Sequence, residues 1–399
     1  MWRSSTILQL TCLLLACQAE QVDPGRDAQG HSAPTQTTTQ VNKRVADELA
    51  LADQRDYEDA RRGLVASSQA LVIPGPDGEP LWDSRTYEFI VGESPHSVNP
   101  SLWRQAGLNN IHGLFKVTEG VYQLRGFDLA NMSIIEGATG WIIVDPLTTR
   151  ETASAALEFA RKHLGAQPVS AVIFTHSHVD HFGGILGIVE EEQVSSGAVQ
   201  VYAPEGFNAE ATSENVIAGT TMCRRSMYMY GSQLARSSRG HVGSGLGKAP
   251  AYGTVGILPS TRVIDTTPQP ISIDGVQFVF QNAPGSEAPA ELTFYLPEKQ
   301  AFCGAEVVSR NMHNLYTLRG AKVRDALRWS NYIDEAIDLF GDAEVYFASH
   351  HWPMWGNENV IDFLKKQRDT YKYLHDQTLR LASQGLTPKE ISEELQLPE

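Results

Sequence analysis

Three histidines and one aspartate lie within six positions of the chain, as His176, His178, Asp180 and His181. They follow the apolar, β-branched stretch 169–174 and precede two glycines, a pattern that predicts a buried strand ending in a functional loop. Imidazole nitrogens and carboxylate oxygens are ligands that suit zinc and similar divalent ions. His176 and His178 can turn to one side of an extended loop, whereas the adjacent Asp180 and His181 are better placed to bind at a second position. The spacing therefore suggests two metal ions.

The alternative is a polar turn that happens to contain histidines, because a lone histidine is more often a structural residue than a ligand. Four potential ligands between a strand and a glycine pair argue against it. The pattern His-x-His-x-Asp-His after a strand resembles the signature of the metallo-β-lactamase superfamily. This resemblance implies an α/β (α+β) fold, an αββα sandwich with a dinuclear metal site along one edge of its sheets.

The elements before the histidine loop must position it. Three consecutive strands are predicted between residues 121 and 145, and a helix is predicted at 149–164 from apolar residues at helical spacing. This order resembles the opening half of a metallo-β-lactamase domain. A later predicted strand, 344–348, also ends in histidine, at His350 and His351.

The histidine loop supplies two ligands for each metal ion, so the remaining ligands must come from distant sequence. Acidic or histidine residues at strand ends are the candidates, namely Glu287, Glu291, Glu306 and either His350 or His351. The residue types alone leave the choice among them open.

Several stretches make the resemblance closer than superfamily level. They are similar to the alkyl sulfatases of this superfamily, which hydrolyse alkyl sulfate esters such as dodecyl sulfate. The stretches are 125–132, 213–216, 287–291, 316–321, 350–353 and 373–381. The likeness runs from about residue 80 to the C-terminus.

The resemblance implies two zinc ions per chain and a ligand for each position around them. The first ion would be held by His176, His178 and Glu287, and the second by Asp180, His181 and His351. Glu306 would bridge both ions. A Gly-His-Thr segment, which carries the third ligand of the first metal elsewhere in the superfamily, does not occur in this chain, which fits Glu287 in that role.

Charge counting constrains how a sulfate ester could bind. Four positive charges from two divalent ions are nearly cancelled by three ligand carboxylates and a hydroxide, so the substrate needs further cations. Arg319 and Arg324 are the candidates, because a guanidinium matches two sulfate oxygens and stays charged. Asn314 and Thr317 can donate hydrogen bonds from the same loop. The resemblance implies release of an alcohol and inorganic sulfate, with a zinc-activated water attacking carbon and sulfate departing toward the arginines.

Composition and charge restrict the partners. A formal net charge of −15 argues against nucleic acid, because phosphate backbones need a basic surface. With 399 residues, length alone suggests two or three domains. Beyond the first residues only Cys223 and Cys303 remain, too few for a disulfide framework, and we expect Cys303 to be a buried thiol.

The N-terminus predicts export. A short basic region and an apolar run too short to span a bilayer indicate a signal peptide over residues 1–17. Residues 14–17 resemble a bacterial lipobox, which would make Cys17 a lipidated membrane anchor; ordinary cleavage near Ala19 is the alternative. Either way we expect a secreted or periplasmic protein, or one lipid-anchored to a bacterial membrane. No later stretch is apolar enough for a transmembrane helix.

The domain order follows from composition and pattern. We predict a disordered linker at 18–40, a helical and wrapping segment at 41–115 and the metallo-β-lactamase domain at 116–356. Residues 213–231 carry Met, Tyr and Arg at helical spacing, which usually means core packing, although this helix and the glycine-rich loop 237–262 could line an alkyl channel. Residues 357–399 are predicted as a C-terminal helical extension. They resemble only the start of the family's longer helical dimerisation domain, which leaves homodimer formation open.

Two other functions remain alternatives at this point. One is another hydrolase of the same fold acting on a different ester or a lactam, against which the two-arginine sulfate patch argues. The other is a non-catalytic surface lipoprotein that binds alkyl sulfates or lipids, which a missing metal ligand would favour. None of the seven ligand positions is missing.

Overall fold

A computed structural model of the chain describes residues 25–27 and 30–398. The predicted signal peptide, with Cys17, lies outside these residues. The α-helices within them are α1 (Gln36–Glu48), α2 (Arg55–Arg61), α3 (Pro100–Asn109), α4 (Arg150–Leu164), α5 (Glu191–Ser195), α6 (Phe207–Thr212), α7 (Gly219–Tyr230), α8 (Ala326–Phe340), α9 (Asn357–Ser383) and α10 (Pro388–Glu394). No helix in the described ranges has the length and apolar character that a membrane crossing requires.

Sixteen strands are found in the same part of the chain. They are β1 (Leu64–Ala66), β2 (Val72–Pro74), β3 (Pro80–Asp83), β4 (Gly113–Thr118), β5 (Val121–Arg125), β6 (Met132–Glu136), β7 (Trp141–Val144), β8 (Val169–Ile173), β9 (Gln200–Pro204), β10 (Arg262–Ile264), β11 (Gln269–Ile273), β12 (Val276–Asn282), β13 (Leu292–Leu296), β14 (Ala301–Cys303), β15 (Val345–Phe347) and β16 (Met354–Trp355).

The strands form two large sheets and one small hairpin. The first sheet has the order β1-β4-β5-β6-β7-β8-β9-β10, and the second runs from β11 to β16 in chain order; β2 pairs with β3. Pairing in the first sheet is antiparallel up to β7 and parallel from β7 to β10. In the second sheet β14 and β15 are parallel because α8 connects them.

The two sheets pack face to face through a fully apolar layer that includes Ile142, Ile173, Phe278, Phe294 and Phe347. Helix α4 covers the outer face of the first sheet, while α8 and α9 cover the outer face of the second. This arrangement confirms the αββα sandwich expected from the sequence.

Helix α4 shows why the sequence folds this way locally. Thr149 accepts a hydrogen bond from the Thr152 amide at its start, and Gly165, with a φ of 91°, ends it. The buried residues are spaced for one helical face, which packs on the sheet: Ala153, Ala156, Leu157 and Ala160. The chain then returns through β8 to the histidine loop, so α4 fixes where that loop begins.

The N-terminal region is more regular than its sequence suggested. Helix α1 begins at Gln36, inside the stretch 18–40 that we expected to be a disordered linker. β1 pairs with β4, and β4 begins at Gly113, so a domain boundary between residues 115 and 116 falls within a strand. The chain from β1 onward therefore belongs to the same folded unit as the sandwich.

Candidate metal centre

The candidate ligands lie in loops at one edge of the two sheets. His176 follows β8 by a few residues, and an isolated bridge joins it to Glu291, which directly precedes β13. Glu306 follows β14, and His350 follows β15. β14 and β15 are parallel neighbours, so their carboxyl ends meet at this edge and bring distant segments together.

Glu306 occupies the centre of the cluster. Its Oε2 lies 3.1 Å from His176 Nε2, 3.3 Å from His181 Nε2 and 3.2 Å from His350 Nε2. The side chain is only 3% exposed. Burial acts to raise the pKa of Glu306, but the surrounding histidines, His350 foremost, hold it well below its usual value. An ionised carboxylate placed between three imidazoles is suited to bridge two cations.

Two groups of ligand atoms flank Glu306. On one side Glu287 Oε2 lies 2.8 Å from His178 Nδ1 and 3.6 Å from His176 Nε2. On the other side Asp180 Oδ2 lies 3.2 Å from His181 Nε2. The loop ligands thus divide into the two pairs that their spacing suggested.

The structure corrects the histidine expected from the loop after β15. His350 Nε2 lies 3.6 Å from Asp180 Oδ2, within the second group of ligand atoms. His351 Nε2 instead faces the carbonyl oxygen of Gly245 at 2.9 Å. The φ of 64° at His351 turns the chain there, so that adjacent side chains point to different places.

Buried atoms without partners indicate that the cluster fits metal ions. His176 Nε2, His181 Nε2, His350 Nε2 and Glu287 Oε2 are buried and have no hydrogen-bond partner among the described residues. Leaving such groups unpaired is costly, and all four converge on the same space. Imidazole and carboxylate donors are the set that zinc takes in hydrolytic sites. The residues present therefore fit a dinuclear metal site.

Asp145 orients the histidine loop through hydrogen bonds to side chains of that loop and of the loop after β15. Its Oδ2 accepts hydrogen bonds from His181 Nδ1 at 2.8 Å, Ser349 Oγ at 2.6 Å and Thr175 Oγ1 at 2.7 Å. In the neutral ring this bond keeps the proton on Nδ1, so that His181 Nε2 offers its lone pair to the cluster, as metal ligation requires. The sequence carried a weak signal for this role, since Asp145 directly follows β7, the neighbour of β8.

Arg324 does not lie where the sequence interpretation placed it. It is buried, its Nη2 pairs with Glu287 Oε1, and its Nη1 donates to Asn314 Oδ1 at 2.7 Å. It is absent from the walls of the cavity beside the cluster. The guanidinium is occupied by a ligand carboxylate, so Arg324 positions Glu287 and is not aimed at a substrate sulfate.

His313 is a site residue that the sequence interpretation missed. Its Nδ1 accepts from Arg324 Nη1 at 2.8 Å, because an arginine can only donate. Its Nε2 then carries the proton and lies 3.0 Å from Glu306 Oε1. This bond holds one oxygen of Glu306 and leaves Oε2 for the centre of the cluster. No spacing pattern in the sequence marks His313.

Glu291, the other candidate ligand, has a different role. Its Oε2 accepts hydrogen bonds from Ser286 Oγ at 2.8 Å and from the amides of Glu287 and Ala288 at 3.0 Å. It therefore closes the loop that carries Glu287 and does not face the ligand cluster.

Two cavities meet beside the cluster. One, of about 260 Å³, is lined by ligands and polar residues: His178, Asp180, Glu287, Glu306, Asn314, Thr317 and Arg319. The other, of about 460 Å³, has mainly apolar walls that include Met222, Pro250, Ala251, Tyr252 and Val255. Asp180, Tyr230 and Arg319 line both cavities. Together the two cavities suit a molecule with an anionic end and an apolar remainder.

Helix α7 forms one wall of the apolar cavity. Within α7 only Met222 is buried, so the interpretation of its apolar stripe as core packing was wrong. Met222, Cys223 and Tyr230 face the cavity instead, and the loop after residue 237 supplies the opposite wall. The helix and the glycine-rich loop thus enclose the apolar cavity, as their composition suggested. Cys223 and the buried Cys303 are both free thiols.

Arg319 is the cation that faces both cavities. Its Nη2 lies 3.5 Å from Glu214 Oε2, and the same oxygen lies 3.7 Å from His178 Nε2. Glu214 sits in a π-helical turn, Ser213–Ile217, which the sequence did not predict and which often marks functional sites. Burial raises the pKa of Tyr230 to about 12, so its hydroxyl stays a hydrogen-bond donor near neutral pH.

Comparison with known proteins agrees with the fold. The family model of the Metallo-beta-lactamase superfamily matches residues 125–350. The chain is 50% identical to "Alkyl/aryl-sulfatase BDS1" of Saccharomyces cerevisiae over 91% of its length and 56% of that protein. It is 46% identical to a "Linear primary-alkylsulfatase" of Pseudomonas sp over its whole length and 59% of that protein.

A solved structure shows the same fold. The stereoselective inverting sec-alkylsulfatase Pisa1 from Pseudomonas sp. superposes with a TM-score of 0.90 at 41% identity, covering 94% of this chain and 59% of that one. The chain thus spans less than two thirds of the length of each of these relatives.

Proposed function

The chain belongs to the metallo-beta-lactamase superfamily, and from that premise we propose that it hydrolyses alkyl sulfate esters, such as dodecyl sulfate, to an alcohol and inorganic sulfate. The observation that carries the proposal is the wall shared by the two cavities, where Arg319 stands between the ligand cluster and the apolar space. The names of the similar proteins, all alkylsulfatases or an alkyl/aryl-sulfatase, support it.

The proposed ligand set contains seven residues. One zinc ion is assigned to His176, His178 and Glu287, the other to Asp180, His181 and His350, with Glu306 shared. Divalent ions supply activation of water near neutral pH and neutralisation of negative charge. Asp145 and His313 hold His181 and Glu306 in their ligating orientations, and Arg324 does the same for Glu287.

The sulfate end of the substrate is assigned to the polar cavity. Two divalent ions and three ligand carboxylates leave little net charge, so Arg319 provides the positive charge that a departing sulfate needs. Asn314 and Thr317 line the same cavity and can donate hydrogen bonds to sulfate oxygens. The alkyl chain is assigned to the apolar cavity, which excludes water from one side of the ester.

Export and assembly belong to the same proposal. The charge pattern of residues 1–17 supports export, with Cys17 as the site of lipid attachment. The exposed face of α9 supports a homodimer contact through the C-terminal helices.

Metal removal tests the reaction directly. We expect the zinc-loaded protein to release sulfate from dodecyl sulfate, the chelator-stripped protein to release none, and zinc to restore the rate, because the ligands alone cannot activate water. Sulfate release and zinc content are measured on the same samples. Activity toward a β-lactam or a carboxylic ester in place of the alkyl sulfate would contradict the proposal. So would two bound zinc ions with no activity.

Substitution of Arg319 tests the sulfate contact. We expect Arg319→Gln to lower kcat/KM for alkyl sulfates by roughly 10²–10³-fold, because charge that develops on sulfate loses its main partner in this chain. Zinc content should stay at the wild-type value, since Arg319 is not a ligand. Arg262→Gln is the matched control, because Arg262 is exposed on β10 and lines neither cavity. Equal losses in the two variants would contradict a specific contact between Arg319 and the sulfate group.

A further inference from the structure

An acid-free segment surrounds the apolar cavity. Between Glu214 and Asp265 the chain has no aspartate or glutamate, although its formal net charge is −15. The same stretch holds six basic side chains: Arg224, Arg225, Arg236, Arg239, Lys248 and Arg262. We call residues 215–264 the cationic segment. Lys248 is buried against the Asn109 carbonyl, but Arg224, Arg225, Arg239 and Arg262 are exposed, so the local charge of this segment is opposite to that of the whole chain.

Large apolar side chains of the cationic segment point into solvent. Val216 is 69% exposed, Ile217 81% and Tyr228 91%. Tyr252 and Val255, on the opposite wall of the cavity, are each 51% exposed. Single exposed apolar residues are ordinary, but these lie on or beside the two elements that form the cavity walls. Tyr252 and Val255 line the apolar cavity, while Val216, Ile217 and Tyr228 lie outside it, on or beside α7. We call these five side chains the apolar rim.

The loop that carries Arg319 extends this rim. Arg225 Nε donates to the Leu318 carbonyl at 2.9 Å, which joins α7 to that loop. Leu318 is 64% exposed and Val323 is 73% exposed. Cationic and apolar side chains are therefore interleaved on the same surface.

We propose that this rim docks onto the surface of aggregated alkyl sulfate, such as a micelle or an alkyl-sulfate-containing bilayer. The inference rests on the proposed function, because it concerns how the same substrate is delivered. The exposed arginines complement the layer of sulfate headgroups, and the apolar side chains insert among the chains beneath them. A single molecule then passes from the aggregate into the apolar cavity without crossing water.

Vesicle flotation tests the docking surface separately from catalysis. The probe is a phosphatidylcholine vesicle containing hexadecyl sulfonate, whose carbon–sulfur bond is not a sulfate ester and is not consumed. We expect the zinc-loaded protein to float with these vesicles and not with pure phosphatidylcholine, and to be released by high salt, which screens the headgroup charge. Equal flotation with both vesicle types, or with neither, overturns the proposal.

A double variant locates the contact. Ile217→Ser with Arg224→Gln removes one exposed apolar and one exposed basic side chain, neither of which lines the cavities. We expect about tenfold or greater weakening of vesicle binding. The matched control is Val41→Ser with Arg44→Gln, two exposed residues on α1. Equal binding by the two double variants overturns the assignment of the surface.

Rates of alkyl sulfate hydrolysis distinguish an error in the docking proposal from an error in the proposed function. With monomeric octyl sulfate, the Ile217→Ser/Arg224→Gln protein should match wild type; with hexadecyl sulfate in vesicles, it should be about tenfold slower or worse. Equal rates on vesicle substrate contradict docking and leave the proposed function intact. Absence of turnover on every alkyl sulfate contradicts the proposed function, while flotation still reports whether the surface binds sulfonate vesicles.

Discussion

Replacing His350 with alanine should remove one of the two zinc ions and nearly abolish sulfate release, while His351→Ala should retain both ions. His350 Nε2 lies 3.2 Å from Glu306 Oε2 and has no hydrogen-bond partner among the described residues. His351 contacts the Gly245 carbonyl and supports the loop. Loss of a ligand should exceed the roughly 10–100-fold that loss of an outer-shell partner costs, and His351→Ala should stay within that range.

Zinc content per chain and kcat/KM for an alkyl sulfate, measured on both variants, decide between the two histidines. Both side chains are buried, so thermal unfolding of the zinc-free proteins serves as the control for stability. Retention of two zinc ions in His350→Ala together with loss of one in His351→Ala would restore the assignment made from the sequence.

The contrast between these histidines shows what a sequence can and cannot predict. The first ligand loop was predictable because its four ligands lie within six positions and follow an apolar, β-branched strand. The αββα arrangement was implied by the resemblance of this loop to the metallo-β-lactamase superfamily. His350 and His351 both lie beyond the end of β15, where the alternation of a strand no longer fixes direction. The positive φ at His351 decides which of the two histidines faces the ligand cluster, and the residue types at these positions do not predict that φ.

Arg324 and α7 show two further limits. A guanidinium binds carboxylate and sulfate with the same pair of N–H groups. The presence of an arginine at position 324 therefore could not distinguish a contact with Glu287 from one with substrate. The apolar stripe of α7 has the same periodicity whether it faces a core or a cavity. His313 had no signal in the sequence, and Glu214 was marked only by the family-like stretch 213–216, because the roles of both depend on partners that the fold brings close, such as Glu306 and Arg319.

Replacing Glu306 with glutamine should have the largest effect of any single isosteric change. The amide keeps the size of the side chain and can still accept from His313, but it removes the negative charge that three histidine Nε2 atoms surround. A shared carboxylate contributes to both ions, so we expect both to bind far more weakly, well beyond the roughly 10–100-fold of an outer-shell change. Zinc competition with a chromogenic chelator measures this without relying on activity.

Glu291→Gln is the matched control, because Glu291 is also a buried glutamate of the same edge. Burial raises the pKa of Glu291 well above its usual value, which favours the neutral carboxyl that glutamine resembles. The amide oxygen can accept the same bonds from Ser286 and from the amides of Glu287 and Ala288. Zinc affinity should therefore change by less than about tenfold. Comparable zinc loss in both variants would mean that burial of a carboxyl at this edge, and not its position between the two ligand groups, governs metal binding.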